Sequence, residues 1–251
     1  MSSSPWSRVA ASVATGAICW LAWGCSVDPP EADEEGVGVT TAEVRGRARD
    51  DHSEVAQLWT KTDGEWGFCT ATLIDRKIAI TAAHCIDYGT NHSKGNYGYL
   101  EVKWKAEGID TILTTRYRVN GIHSFAIPPF GAKYDVALVR LSVSVPCAVA
   151  HPARVTRKKP PAGSIVSKWG YGGCDGKKDR KRAVHLRRGQ SGDFACSGDS
   201  GGPTMDPDGA VYAIHSESDP DTGKDFVAWV DDNWNGITRV MDQFGRAGRC
   251  Q

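Results

Sequence analysis

Three short segments of this 251-residue chain carry a histidine, an aspartate and a serine in settings that suit nucleophilic catalysis. His84 lies in the segment TAAHC, Asp135 in YDVAL and Ser200 in GDSGGP. A serine hydroxyl is a poor nucleophile at neutral pH, so it needs a base within hydrogen-bond reach, and that base needs a fixed tautomer. In such a system Ser200 would attack a carbonyl carbon, His84 would take and later return the proton, and Asp135 would hold His84.

Together and in this order, the three segments resemble the chymotrypsin/trypsin family of serine endopeptidases. The resemblance covers about Val44 to Gln251. It implies an all-β fold of two antiparallel six-stranded β-barrels with the active site in the cleft between them. It also implies hydrolysis of peptide bonds in protein substrates through an acyl-enzyme, with the main-chain N–H groups of Gly198 and Ser200 as the oxyanion hole. No cofactor and no metal are expected.

One alternative from another functional class is a catalytically silent relative, which keeps the fold and binds a partner protein. Such relatives usually lack the histidine or the serine, and this chain has both. A purely structural envelope lipoprotein is a third, weaker interpretation. The sequence therefore favours the enzyme.

The resemblance also predicts how the enzyme is activated. In the family, the residue before the nucleophile, here Asp199, pairs with a new α-amino group made by proteolysis. Val44 lies about where that terminus belongs, although the sequence Val44-Arg45-Gly46 departs from the family's IVGG, and Val37 and Val39 are weaker competitors for this position. We therefore expect that a cut between Glu43 and Val44 orders the oxyanion hole.

The residues expected to contact substrate come from the same register. They are Phe194, Ala195, Ser197, Ser216, Glu217, Ser218 and Asp225. Phe194 stands at the position where trypsin-like members have an aspartate, so cleavage after Arg or Lys is not expected to dominate. Asp225 could still supply a carboxylate, as could Asp193.

Eight cysteines and the N-terminus predict export. Residues 1–24 have the pattern of a signal peptide, and Cys25 follows a segment that resembles a bacterial lipobox, so it is the expected site of lipid attachment. Without Cys19 and Cys25, six cysteines remain, an even number that suits an oxidising compartment. The resemblance pairs Cys69 with Cys85. We further pair the others as Cys174 with Cys196 and Cys147 with Cys250.

Composition limits the partners. Lys and Arg total 30, as do Asp and Glu, so the formal net charge is zero and no nucleic-acid partner is expected. A basic run from Arg157 to Arg188 suggests either a site for an anionic surface or a solvated loop. The predicted protein is a monomer whose membrane attachment depends on Cys25, and it is released when the tether is processed.

The elements that must position these residues are short strands separated by turns. Residues 25–43 form an acidic tether, 44–145 a first barrel, 146–163 a linker, and 164–251 a second barrel with a C-terminal helix. Apolar runs at Ile78–Ala82, Val136–Val139, Ile165–Val166 and Val211–Ile214 predict strands. Apolar residues at helical spacing from Ile237 predict a helix over Asn235–Phe244.

Overall fold

Strands dominate the computed structural model, which describes residues 51–62, 65–87, 98–108, 110–125, 132–173, 180–190, 196–219 and 224–250. Those residues form eleven strands, two α-helices and one 3₁₀ helix. The strands are β1 Val55–Thr62, β2 Glu65–Asp75, β3 Ile78–Thr81, β4 Tyr99–Lys105, β5 Ile112–Ser124, β6 Ala137–Leu141, β7 Ile165–Gly170, β8 Arg182–Arg187, β9 Pro203–Met205, β10 Val211–Asp219 and β11 Lys224–Trp229. The helices are α1 His84–Asp87, the 3₁₀ helix Ala132–Tyr134, and α2 Val230–Phe244.

The first six strands close into a barrel in the order β1-β2-β3-β6-β5-β4. All of its pairings are antiparallel. Inward-facing side chains such as Leu58, Leu100 and Leu138 are fully buried. Because side chains alternate across a strand, their neighbours along the chain face outward.

The second group is a five-stranded antiparallel sheet in the order β11-β10-β9-β7-β8. The expected second barrel had six strands; five are present in the described part of the chain, and residues 191–195 lie outside it. A closed six-stranded barrel, a second antiparallel sheet and the C-terminal helix α2 confirm the predicted all-β fold class. One core cluster includes buried residues of both units, among them Ile80, Leu138, Met205 and Ile214.

The C-terminal helix α2 begins at Val230, five residues before its predicted start. Strand β11 runs directly into it, and no side chain caps its first turn. Asp231 in that turn interacts favourably with the helix dipole. The prediction started late because the inward position before Ile237 is polar: Asn233 is buried and donates from Nδ2 to the carbonyls of Lys133 and Trp229, each at 3.1 Å.

The C-terminal tail is fixed to the first barrel by a buried carboxylate. Asp75, at the end of β2, accepts backbone N–H bonds from Ala247 at 3.0 Å and Gly248 at 2.8 Å, and another from Lys77 at 2.9 Å. The disulfide Cys147–Cys250 joins the same tail to the segment that follows β6. The linker and the C-terminus are therefore held together, as the predicted pairing required.

The N-terminal predictions lie outside the described residues. They are the signal peptide 1–24, the tether 25–43, the lipid site at Cys25 and the new terminus at Val44. No helix in the described part of the chain is long and apolar enough to cross a membrane. The domain boundaries at 145 and 163 stay predictions.

Candidate active site

Two neighbouring strands of the first barrel bring His84 and Asp135 together. Thr81, at the end of β3, pairs with Ala137, at the start of β6. His84 follows the first strand at the start of α1, and Asp135 precedes the second. The Asp135 carboxylate lies 2.7 Å from Nδ1 of His84 and accepts the His84 backbone N–H at 2.8 Å. These two contacts fix the imidazole ring relative to the carboxylate.

The environment of Asp135 favours its ionised form. Burial alone would raise its pKa, but hydrogen bonds from His84 and Ser216 together with the His84 charge hold the pKa of Asp135 below its usual value. Asp135 is therefore a carboxylate across the neutral range. A carboxylate at Nδ1 keeps the proton on that nitrogen and leaves Nε2 able to accept one.

Ser216 connects this pair to Ser200. The β10–β11 register shifts between His215 and Glu217, so Ser216 lies in a β-bulge, an irregularity that re-aims a side chain. Its hydroxyl donates to Asp135 Oδ2 at 2.6 Å, and its carbonyl accepts from Ser200 Oγ at 3.4 Å. One bulged residue thus contacts both the carboxylate and the predicted nucleophile.

The turn that carries Ser200 requires a glycine at Gly198. Its φ is +102°, in the region that side chains rarely adopt, and a Cβ there would lie 2.8 Å from the Phe68 ring. Among the described residues, the N–H groups of Gly198 and Ser200 have no hydrogen-bond acceptor. Two donors on one turn beside the nucleophile are the arrangement that stabilises an oxyanion.

Thr70 on β2 holds this turn in place, and sequence reasoning missed it. Its N–H donates to the Ser200 carbonyl at 2.9 Å, and its hydroxyl donates to the Gly198 carbonyl at 2.8 Å. The same hydroxyl accepts the Tyr171 N–H at 3.0 Å. A threonine in the middle of a strand is ordinary, so the sequence offered no signal for this role.

Asp199 lies in a close-fitting cradle of backbone. Its carboxylate accepts N–H bonds from Gly172 at 2.6 Å and Cys196 at 2.8 Å. A Cβ on Gly170 would lie 1.9 Å from its Oδ1, and one on Gly172 would also collide with the carboxyl group. Burial raises the pKa of Asp199 to about 6, against the lowering effect of these bonds and of Arg182. No described cation forms an ion pair with it, and Val44 lies outside the described residues.

The predicted substrate residues are only partly described. Ser216 is buried and Glu217 is exposed on β10, and Ser197 is exposed on the turn before Gly198. Ser218 belongs to β10, but its side chain is outside the described set, as are Phe194, Ala195 and Asp193. Their roles stay predictions.

Asp225 lies opposite Ser218 in the β10–β11 register, and its contact with substrate stays a prediction. Its carboxylate forms an ion pair with Lys168 of β7, and the two side chains are only 7% and 12% exposed. Sequence reasoning had counted Lys168 in a basic surface run. The pairing neutralises the carboxylate that could have bound a substrate arginine.

His215 is buried beside this ion pair. Its backbone exchanges hydrogen bonds with the nucleophile turn: it accepts from Gly201 N–H and donates to the Gly202 carbonyl, both at 2.8 Å. Burial, reinforced by the nearby Lys168 charge, lowers the pKa of His215 to about 3, so its ring is neutral. Sequence reasoning had treated His215 as a background histidine; its main chain links β10 to the nucleophile turn.

Two disulfides lie within the described residues. Cys69–Cys85 joins β2 to α1 next to His84, and Cys147–Cys250 holds the tail. Cys196 is also disulfide-bonded, but its predicted partner Cys174 lies outside the described residues. The grouping of possible metal ligands in the described part is Cys69, His84 and Cys85, and the disulfide removes both thiolates from it.

In the described part of the chain, the basic run from Arg157 to Arg188 contains both buried and exposed side chains. Lys181 and Arg182 are buried, and β8 starts at the second of them. Arg157 pairs with Asp231 at 2.9 Å, and Lys159 lies 4.1 Å from the centre of the Trp229 ring. Arg157, Lys158, Lys159, Arg180 and Arg187 are exposed. Both sequence interpretations, an anionic-surface site and a solvated loop, stay predictions.

A sequence model of the trypsin family, described as "Trypsin", matches residues 43–192, more than half of the chain. The chain belongs to the trypsin family. This match contains His84 and Asp135 and ends before Ser200. A comparison with curated protein sequences finds no match.

Solved structures of other proteins resemble the fold. An inactivated protease paralogue of the scabies mite superposes with a TM-score of 0.62 at 16% identity, covering 81% of this chain and 98% of that one. Human heparin binding protein gives a TM-score of 0.61, again at 16% identity with 81% and 98% coverage. Identities this low show a shared fold alone. Disulfides of this kind form in oxidising compartments, so the trypsin-family domain is an exported or extracellular one.

Proposed function

We propose that this protein is a serine endopeptidase that cleaves peptide bonds in proteins with Ser200, His84 and Asp135. The observation that carries the proposal is the contact of His84 Nδ1 with the Asp135 carboxylate at 2.7 Å, joined through Ser216 to Ser200. The Ser216 bulge connects the Asp135 carboxylate to the serine of a glycine-rich turn, which supports the proposal.

The chemistry then runs in two halves. Ser200 Oγ attacks the scissile carbonyl carbon while His84 Nε2 takes its proton, and Asp135 stabilises the imidazolium. Collapse of the tetrahedral intermediate breaks the C–N bond, and His84 returns the proton to the leaving amine. Water then repeats the cycle on the acyl-enzyme and regenerates Ser200.

The oxyanion of each intermediate is stabilised by the N–H groups of Gly198 and Ser200. Removing one such donor typically costs a factor of about 10²–10³ in rate. The fixed φ of Gly198 and the Thr70 hydroxyl bond to its carbonyl support a turn that is organised before substrate binds. Preorganisation of this kind lets the donors act without a reorganisation cost during the reaction.

The residue before the scissile bond is uncharged in this proposal. Phe194 replaces the acidic pocket residue of trypsin-like enzymes, and Asp225 is already paired with Lys168. An arginine side chain entering the pocket would have to compete with a buried lysine for one carboxylate. Glu217, at the exposed edge of β10, adds a polar character to the adjoining subsite.

Activation by cleavage between Glu43 and Val44 is the regulatory part of the proposal. The Asp199 carboxylate is buried with a raised pKa, which means that its charge is costly without a cation. A Val44 ammonium entering this cradle would remove that cost and fix the adjacent Gly198 turn. The same cut would free the catalytic domain from the tether that begins at Cys25 and carries the lipid.

The remaining assignments follow from this picture. The protein acts as a monomer on peptide and protein substrates, has no nucleic-acid partner, and attaches to a bacterial cell envelope through lipidated Cys25 until it is processed. The activating cut follows Glu43, which is charged, whereas the proposed enzyme prefers an uncharged residue before the scissile bond. Self-activation is therefore not expected.

A catalytically silent binding module is the second candidate. One observation favours it: an inactivated protease paralogue has the same fold with a TM-score of 0.62. Against it stands the complete set His84, Asp135 and Ser200 with the contacts given above.

Cleavage of an unfolded protein substrate tests the proposal. Wild type, Ser200→Ala and His84→Ala are compared, with Ser144→Ala as a control at a serine outside the site. We expect both site variants to lose turnover by a factor on the order of 10⁴ to 10⁶ and the control to keep it. Full activity in pure Ser200→Ala would contradict the mechanism.

A further inference from the structure

Two cysteines and the predicted catalytic base bring three metal-binding atoms together. The sulfurs of Cys69 and Cys85 and one ring nitrogen of His84 all lie within 4.8 Å of one another. In the structure the two cysteines form a disulfide, so neither sulfur is a thiolate that could bind a metal. Opening that bond would turn the same three side chains into a Cys₂His ligand set, a combination that proteins use to bind zinc.

The spacing of these ligand atoms suits a zinc ion. Tetrahedral zinc with bonds of about 2.3 Å to sulfur and about 2.0–2.1 Å to nitrogen places its ligand atoms roughly 3.5–3.8 Å apart. The Cα atoms of Cys69 and Cys85 are 6.1 Å apart. Rotation of the two side chains is therefore enough to separate the sulfur atoms to that distance, without a movement of the backbone.

The backbone around both cysteines is held by contacts other than the disulfide. Cys69 pairs with Leu58 in the β1–β2 register. The Cys85 carbonyl accepts the Thr60 hydroxyl at 3.2 Å, and its Sγ lies 3.7 Å from the Ser200 carbonyl oxygen. Cys85 is buried in the core cluster and Cys69 packs against it. We therefore expect the three ligands to stay together when the S–S bond is open.

Asp135 already holds His84 in the way that a zinc-bound histidine is held. Such a histidine usually donates its other ring N–H to a carboxylate, which fixes the ring and strengthens the ligand. The Asp135 carboxylate lies 2.7 Å from Nδ1 of His84, so Nε2 is the nitrogen directed to a metal. The His84 side chain is 31% exposed, which gives an ion access from solvent. Nε2 is also the atom that would take the proton of Ser200, and it cannot bind zinc and accept that proton at once.

We propose that Cys69, Cys85 and His84 bind Zn²⁺ while the disulfide is open, and that the metal keeps the protease inactive until the disulfide forms. Binding of Zn²⁺ displaces one proton from each thiol. Closure by thiol–disulfide exchange then transfers two electrons from the thiolates to a partner disulfide, which takes up two protons and becomes a dithiol, and the ion leaves. The chain is made before it meets an oxidising compartment, so the zinc form precedes the disulfide form. The inactivation, but not the metal site itself, rests on the proposed peptidase function.

Protection of the thiols from alkylation tests the metal site. The full-length Ser200→Ala chain is reduced with a phosphine, checked for folding by circular dichroism, and alkylated with iodoacetamide in the presence of Zn²⁺ or of a chelator. Mass spectrometry gives the labelling rate of each cysteine. We expect zinc to slow labelling of Cys69 and Cys85 by at least about tenfold, whereas Cys147 and Cys250 in the same molecule should change by less than about twofold.

Variants in the same inactive background identify the ligands. Co²⁺ replaces Zn²⁺ as the probe, because thiolate ligands give it a strong charge-transfer absorption. Cys69→Ser/Cys85→Ser should abolish this absorption, and Cys147→Ser/Cys250→Ser, which removes the same number of thiols elsewhere, should retain it. Asp135→Asn keeps all three ligands but removes the carboxylate behind the histidine, so it should weaken metal binding by about 10–100-fold.

The effect on catalysis is measured separately with wild type. After reduction, Zn²⁺ should lower turnover by at least about tenfold relative to chelator, because the base is occupied, and it should not inhibit the oxidised enzyme. Binding is measured in Ser200→Ala, so its outcome does not depend on peptidase activity. Equal protection of all cysteines, binding retained in Cys69→Ser/Cys85→Ser, or unfolding of the reduced chain in the presence of zinc would overturn the metal site. A reduced enzyme that stays active with zinc bound would overturn the inactivation.

Discussion

Lys168 is the residue whose charge decides what Asp225 can bind. In the Lys168→Met variant the carboxylate loses its buried partner, while the volume of the side chain is nearly kept. We expect kcat/KM for an arginine before the scissile bond to rise by at least about tenfold relative to phenylalanine, because a charged hydrogen bond becomes available to the substrate. A panel of peptides that differ only at this residue gives the ratio.

The double variant Lys168→Met/Asp225→Asn is the matched control for that experiment. It removes the carboxylate as well, so the preference for arginine should fall back to the wild-type ratio. Loss of one partner of a buried pair also costs about 3–5 kcal/mol of stability, and the assay is therefore run well below the unfolding temperature. An unchanged ratio in the single variant would show that Asp225 does not reach the substrate.

Single residues mark the limit of what the sequence could predict about the site. The segments around His84, Asp135 and Ser200 are distinctive in type and order, so they were found. The sequence did not indicate the roles of Lys168, Thr70 or the glycines around Asp199, Gly170 and Gly172, because these roles come from contacts across strands. A lysine in a basic run predicts exposure until the sheet pairing shows that it points inward.

At the scale of elements, Asp75 holds the C-terminal segment after α2. Asp75→Ala leaves the N–H groups of Ala247 and Gly248 without their acceptor. We expect a loss of about 2–3 kcal/mol in the free energy of unfolding, measured by urea titration with disulfides intact. Glu107→Ala, at an exposed acidic position, should change it by less than about 0.5 kcal/mol. Equal stability of the two variants would show that Cys147–Cys250 alone fixes the tail.

The elements themselves were predicted where the apolar pattern was unambiguous. The runs around Ile80 and Leu138 became the neighbouring strands that carry the site. The start of α2 was predicted late because buried Asn233 interrupts the apolar spacing. The bulge at Ser216 could not be predicted, since a register shift depends on the partner strand and not on the residue's own type.

For the whole molecule, Asp199 predicts a pH dependence of stability. Its pKa is raised in the fold from 3.8 to about 6. The penalty for ionising it is therefore absent below about pH 4, grows as the pH rises, and is complete above about pH 6, at about 3 kcal/mol. Two uncut chains are compared: Ser200→Ala and the double variant Ser200→Ala/Asp199→Asn. Between pH 4 and 7, the free energy of unfolding of the first should fall by about 3 kcal/mol relative to that of the second.

His215 contributes an opposite slope, because its lowered pKa makes the fold lose stability in acid. Both variants contain His215, so its effect cancels when their free energies of unfolding are subtracted. A difference that does not change with pH would show that the Asp199 carboxyl is not destabilised by burial.

Activation also belongs to the whole molecule, because it couples the N-terminus to the catalytic turn. The predicted active form begins at Val44 and has left the membrane, whereas the inactive form retains Cys25. In that active form the Val44 ammonium should lower the Asp199 pKa, so the fall in stability with pH described above should be lost. N-terminal sequencing of active and inactive material shows at which residue each form begins. Active material that still begins at Cys25 would contradict this activation scheme.

The central claim is that Ser200 is an activated nucleophile, and covalent labelling by a fluorophosphonate probe tests it most directly. The probe is applied to the chain cut at Val44, and the labelled peptide is mapped by mass spectrometry. We predict one equivalent of label on Ser200, no label in Ser200→Ala, and strongly slowed labelling in His84→Ala. Folded, correctly cut wild-type protein that takes up no label at Ser200 would contradict the account and would favour the silent binding module.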